Sequence, residues 1–166
     1  MPNAGAQPET PACSVPTDTP GVVAPPPLVY MAVLLGGWGL NRLWPASLVP
    51  RAVRPAGYAL IAIGVIVFAL SLHQFRKWGT SVQTRKPTTA LMTDGPYRFS
   101  RNPIYLAFTI LSAGIGIAAD LPWILGLLVP ALVVIHWGVI AREERYLERK
   151  FGENYRRYKA AVRRWV

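Results

Sequence analysis

The sequence is short of acid, of cysteine and of histidine. One cysteine, Cys13, in 166 residues excludes a secreted scaffold held together by disulfides. Eight Asp and Glu stand against 18 Lys and Arg, a formal net charge of +10. That imbalance invites a nucleic-acid reading, yet no zinc-ligand spacing, helix-turn-helix or RNP pattern accompanies it. The start of the chain lacks a basic stretch followed by an apolar run, so no signal peptide is expected there. What the chain does have is apolar residues. They make up 52% of it, and the mean hydropathy is +0.27. This excludes disorder of the whole chain, which requires low hydrophobicity, and points to a membrane protein whose charge lies on one side.

Residues 1–27 hold eight of the sixteen prolines and no Lys or Arg. The segment reads as a disordered Pro-rich tail with Cys13 as a bystander thiol. Four apolar stretches follow, and residues 28–166 read as one all-α membrane domain. The first stretch covers about 28–44. The second, 55–75, has 21 residues without Asp, Glu, Lys or Arg; at 1.5 Å each they make about 31 Å, the thickness of a bilayer core. The third, 103–119, and the fourth, about 122–141, each open on a proline, which costs nothing at the first helical position. Pro130 is expected to kink the fourth. Only Asp120 and Leu121 separate these two, which predicts a tight antiparallel hairpin. The fourth helix is expected to run on to Phe151 and stop at Gly152, with a short basic helix from Glu153 to Arg164.

The charges then sort. Residues 76–102 hold six Lys and Arg, and the stretch from Arg142 onward holds nine. With four spans these two segments share a face, which the positive-inside rule assigns to the cytoplasm. Arg42, Arg51 and Arg54 fall on the other side. Trp44, Trp78 and Trp123 stand at span ends, as interfacial anchors do. The location expected is a bacterial-type inner membrane with a cytoplasmic C-terminus.

Those two segments also carry the chemistry. Asp94-Gly95-Pro96-Tyr97 is a turn signal, and Arg98-Phe99-Ser100-Arg101-Asn102-Pro103-Ile104-Tyr105 leads directly into the third span. Donors, Arg101 and two tyrosines converge on a helix N-terminus, which suits an anion. Lipid phosphates are the plainer ligand for Arg98 and Arg101. Glu143 and Glu144 lie where the fourth helix leaves the bilayer, and adjacent carboxylates there are costly unless paired or used. Ordinary pairing along the helix with Arg142, Arg145 or Arg149 is the structural alternative. His136 falls inside the span, where an interhelical hydrogen bond competes with a functional role.

The series Gly95-Pro96-Tyr97, Arg101-Asn102-Pro103-Ile104-Tyr105, Glu143-Glu144, Phe151-Gly152 and Tyr155-x-x-Tyr158 resembles the isoprenylcysteine carboxyl methyltransferase and phospholipid methyltransferase superfamily over about residues 70–166. The resemblance implies an integral membrane enzyme that uses S-adenosylmethionine. It implies that Thr89, Ala90, Leu91 and Met92 follow the cofactor with their backbone, that Tyr97 contacts it, that Asn102, Pro103, Ile104 and Tyr105 line it, and that Glu143 is the carboxylate touching it. Gln83 stands near a glutamine position of the family. Two positions depart from the pattern: Asn102 replaces the histidine of the eukaryotic carboxyl methyltransferases, and Val139 stands where those enzymes carry a substrate-facing arginine.

Sulfonium is a good leaving group, so such an enzyme chiefly positions its reactants. From placement alone, Arg142 is a candidate to orient an anionic substrate, and Glu144 or His136 to accept a proton. The acceptor expected is a small or lipid-like carboxylate, thiol or amine, with membrane lipids as the other partners and no nucleic acid or metal. Phospholipid N-methylation is the alternative within enzymes. A non-catalytic protein binding anionic lipid is the alternative outside them. The methyl acceptor and the oligomeric state are not legible in the sequence.

Overall fold

The computed structural model describes residues 21–77 and 91–166, and among them every regular element is helical. The elements are α1 (Pro26–Leu43), a 3₁₀ turn (Arg51–Val53), α2 (Arg54–Lys77), a second 3₁₀ turn (Gly95–Arg98), α3 (Pro103–Ala118), α4 (Pro122–Val133), a π-wound segment (Val134–Ile140), α5 (Ala141–Phe151) and α6 (Glu153–Ala161). Cys13, Trp78, Gln83, Thr89 and Ala90 lie outside the described residues.

Two expectations need correction. The Pro-rich tail was expected to extend to residue 27, but Pro26 and Pro27 open α1. Their missing N–H groups fall where a helix has no partner for them. The fourth helix runs on past Pro130, as expected, and widens to π winding four residues later. The last helix stops at Ala161, not at Arg164: Val162 is extended (φ −122°, ψ 134°), and the chain turns back toward the start of α3.

Two helices, 51–77 and 122–151, are long and apolar enough to cross a membrane, and α3 is a shorter apolar helix. α2 packs along α3, and α1 packs on α4. The α2–α3 seam is built from small residues. The buried positions of α2 are Gly57, Gly64 and Ser71, seven residues apart and therefore on one stripe. A Cβ on Gly57 would stand 2.8 Å from the Gly114 carbonyl oxygen and 2.5 Å from the Ala118 nitrogen. The backbones thus approach closely, and dispersion between them holds the pair. The large side chains point the other way: Tyr58, Ile63, Ile66 and Leu70 are all about half exposed or more. An apolar face this continuous, on a stretch without charge from 55 to 75, suits a helix long and apolar enough to cross a membrane. The core proper gathers Tyr30, Val33, Ile124, Leu128, Ile135 and Val139 between α1 and the fourth helix.

The α3–α4 connection is as tight as its length requires. Asp120 takes a positive φ of 52°, a conformation Asp tolerates. Its carboxylate accepts from the Ser47 hydroxyl, from the backbone N–H groups of Leu48 (3.0 Å) and Val49 (2.9 Å), and from Arg54 (2.9 Å). One side chain therefore ties the 44–53 loop and the start of α2 to the hairpin. The Ser47 bond foremost, with the Val49 N–H, holds the Asp120 carboxyl below its usual range.

Two predictions follow from this packing. Gly57→Leu lowers stability by about 1–3 kcal/mol through overpacking, whereas Gly39→Leu, with nothing within 4 Å of its Cβ, leaves it unchanged; thermal unfolding in detergent measures both. Asp120→Asn keeps the backbone conformation but removes the charge, and lowers Tm at neutral pH by about 2–4 °C. Because the folded-state pKa is depressed, the stabilisation is present above the ordinary carboxylate range and is lost as pH falls through it. The gap between parent and variant therefore closes on acidification.

Candidate functional site

The end of the bundle away from Asp120 brings together the 91–102 segment, the start of α3, the start of α5 and residues 162–166. Gly95 turns the chain with φ 60°, and a Cβ there would overlap the Gln74 side chain. The turn seats Tyr97 in a buried position with its ring edge toward Phe75, centroids 6.1 Å apart. Tyr158 of α6 donates to the Tyr97 carbonyl at 2.7 Å, so α6 is fastened to this turn. Burial pushes the Tyr97 phenol far up, with Tyr158 and then Glu143 adding to it; it stays a protonated donor. Met92 is buried and Leu91 half-buried.

On α5 the two neighbouring carboxylates face different surroundings, because consecutive residues project about 100° apart on a helix. Glu144 is 5% exposed and is gripped by two arginines. Arg164 meets it with a two-pronged contact, Nε to Oε1 at 3.1 Å and Nη2 to Oε2 at 2.5 Å. Arg101 adds Nη2 to Oε1 at 3.1 Å. Glu143 instead accepts from the Tyr105 hydroxyl at 2.7 Å, and among the described residues no Lys or Arg pairs with it. Tyr105 is itself fixed, since the Tyr30 hydroxyl donates to its carbonyl at 3.1 Å.

The structural alternative, pairing of these glutamates with arginines along their own helix, is not found among the described residues. Glu144 pairs with residues 43 and 20 positions away in sequence.

The other residues singled out from the sequence divide as follows. Asn102 spends its amide on the Arg164 carbonyl (3.0 Å), and Ser100 donates to the same oxygen (3.4 Å). Pro103 is buried and Ile104 packs against the core. Arg101 has its side chain 9% exposed, with Nε and Nη1 buried and without a partner; its backbone N–H donates to the Arg163 carbonyl at 3.0 Å. His136 lies in the π-wound segment with Nε2 2.6 Å from Arg164 Nη1. A guanidinium only donates, so Nε2 accepts and the neutral ring carries its proton on Nδ1. The Trp165 indole N–H, 3.3 Å from Nδ1, is then a packing contact. Arg142 is not brought to this cluster: it is exposed and donates to the Gly21 carbonyl at 2.8 Å.

Sequence reasoning missed Arg164, Trp165 and Tyr158 as parts of the site. A tryptophan at the end of a basic run was the available signal that the segment docks. The buried cluster predicts that Arg164→Ala costs about 1.5–3 kcal/mol, because Glu144 loses its two-pronged partner and keeps only the single Arg101 contact. Arg163→Ala, which keeps the backbone carbonyl used by Arg101, costs far less. Denaturant titration of the two variants in detergent compares them.

Comparison with known proteins identifies the family. The phospholipid methyltransferase family model matches residues 53–154, more than half of the chain and all of α2 through α5. An uncharacterized protein of Haemophilus influenzae is 46% identical over 61 residues, 37% of this chain and 94% of that protein. No solved structure matches the chain. With the matched segment spanning Tyr97, Arg101, Tyr105 and both glutamates, the chain belongs to the phospholipid methyltransferase family.

Proposed function

We propose that the protein transfers a methyl group from S-adenosylmethionine to a small or lipid-like acceptor at the cytoplasmic face of a bacterial-type inner membrane. In this reading four helices span the bilayer, and the end bearing Tyr97 to Tyr105 and residues 142–166 faces the cytosol. Fifteen of the eighteen Lys and Arg belong to that end, which supports the orientation.

The observation that carries the reading is Glu143. It is a half-buried carboxylate at a membrane surface, oriented by Tyr105 and without a cation among the described residues. Its neighbour Glu144 takes two arginines. A carboxylate left without a counter-ion beside such a neighbour is suited to a cation brought by a ligand. The ammonium or the sulfonium of the cofactor fits, and the two unpartnered nitrogens of Arg101 fit its carboxylate. When bound, the cofactor supplies an activated methyl group on sulfur.

The protein's own residues then have three tasks. Glu143 and Tyr105 fix the cationic end, Tyr97 closes the site from the loop, and Leu91 and Met92 continue its wall, with Thr89 and Ala90 assigned by family resemblance. Glu144 and His136 already spend their acceptor atoms on Arg164. That favours an acceptor that arrives deprotonated, a carboxylate or thiolate, over one that must lose a proton to the enzyme. The family match favours a second reading, a phospholipid amine.

Calorimetric titration of the detergent-solubilised chain with S-adenosylhomocysteine tests the site. Binding by the parent is expected, with a tenfold or greater loss in Glu143→Ala, since a charge-assisted hydrogen bond contributes about 1.5–3 kcal/mol. Equal affinity in the two proteins, or no binding by the parent, refutes the assignment.

A further inference from the structure

A separate cavity of about 430 Å³ lies between α2 and α3 at the cytoplasmic end, within the range of pockets that hold a small molecule. Its α3 wall includes Pro103 and Leu106, which share one side of that helix, while Tyr105 turns to the other side toward Glu143. The cavity is therefore distinct from the cofactor site. Val67, Leu70 and Leu106 give it an apolar interior. Leu70 is 51% exposed and Phe99, at the rim, is 76% exposed. The cavity thus opens onto the same apolar face of α2 that points away from the bundle, and its mouth is continuous with lipid.

Two polar features select what enters. Gln74 is held against Gly95, where a Cβ would overlap its amide, and its Oε1 is buried without a hydrogen-bond partner. It needs a donor. Arg98 is exposed at the cavity and has no carboxylate partner among the described residues. It needs an anion. His73 adds a second donor at the rim, and Arg76 and Lys77 follow on the same helix end.

We propose that this cavity holds one phospholipid whose head is an anionic phosphodiester carrying free hydroxyls, a glycerol-type head. Its phosphate sits on Arg98, a head hydroxyl donates to Gln74 Oε1, and one acyl chain runs along Val67, Leu70 and Leu106. An ethanolamine head also offers a donor to Gln74, but it places an ammonium beside Arg98 and brings no net charge to offset it. The bound lipid fills the seam between α2 and α3 and fixes the Gly95–Arg98 turn from the side opposite Glu143.

Native mass spectrometry of the full chain, released from micelles containing equal amounts of phosphatidylglycerol and phosphatidylethanolamine with matched acyl chains, tests this. One phosphatidylglycerol adduct is expected to dominate at least fivefold. Arg98→Gln should lower it fivefold or more and Gln74→Leu about threefold, while Arg76→Gln, outside the cavity, should leave it in place. Leu70→Trp, on the exposed side of α2, should fill the cavity and abolish adducts of both lipids without lowering the unfolding temperature. Equal adducts of the two lipids overturn the choice of head. Equal loss in Arg98→Gln and Arg76→Gln, or full retention in Leu70→Trp, overturns the cavity as the site. Because none of these variants touches Glu143 or Tyr105, homocysteine-nucleoside binding reports on the methyltransferase reading independently.

Discussion

Glu144 is the constraint on which the end of the bundle away from Asp120 depends. A carboxylate 5% exposed cannot remain charged there without compensation, and the effective penalty for an uncompensated buried ion is several kcal/mol. Compensation comes from two segments far apart in sequence, Arg101 just before α3 and Arg164 beyond α6. Satisfying one side chain therefore fixes where α3 begins and where the end of α6 turns back. The backbone repeats the tie: the Arg163 and Arg164 carbonyls accept from Arg101 N and Asn102 Nδ2. Removing the charge at Glu144 would leave two guanidinium groups facing each other, so the three residues stand or fall together.

The same arrangement defines Glu143 by exclusion. Arg101 and Arg164 both pair with its neighbour, and among the described residues Glu143 receives a hydrogen bond from the Tyr105 phenol and no cation. A phenol orients a carboxylate without neutralising it. The geometry of the site is settled in advance, so a cation can bind there without first breaking an internal ion pair. Tyr30 supports the arrangement from α1 by fixing the Tyr105 carbonyl and sharing Thr109.

Much of this was legible in the sequence. The four apolar stretches became helices with ends within a few residues of the expected ones, because proline at the start of α3 and α4 and Gly152 after α5 leave little choice. Family resemblance assigned positions 105 and 143 to one site, but their direct hydrogen bond was not legible, since nothing local links residues 38 apart. The return of residues 162–166 could not be read. Arg163 and Arg164 extend a basic run that is compatible with a helix, and no glycine or proline marks its end. Only the long-range demand of Glu144 and the apolar contact of Trp165 pull the segment out of helical register. The α2–α3 seam was readable in principle from Gly57, Gly64 and Ser71 at intervals of seven, but apolar residues dominate that helix and mask a stripe defined by the absence of side chains.

The opposite end of the bundle resolves what the charge count left awkward. Arg42, Arg51 and Arg54 lie away from the basic face and run against a simple division of charge. Two of them are partly accounted for locally: Arg54 pairs with Asp120 at 2.9 Å, and the Arg42 guanidinium lies 5.1 Å from the Trp38 ring centroid. Asp120 is also the lone acid between α1 and α2 or between α3 and α4, and its donors come from the α1–α2 connection and the start of α2. One end of the bundle is therefore closed by one anchored carboxylate, Asp120, and the other by one carboxylate bound to two arginines, Glu144. Beside it Glu143 has a phenol and, among the described residues, no cation. In a chain with eight acids that economy is itself the argument for function: each of these three carboxylates occupies a site in which lysine or arginine would undo the arrangement.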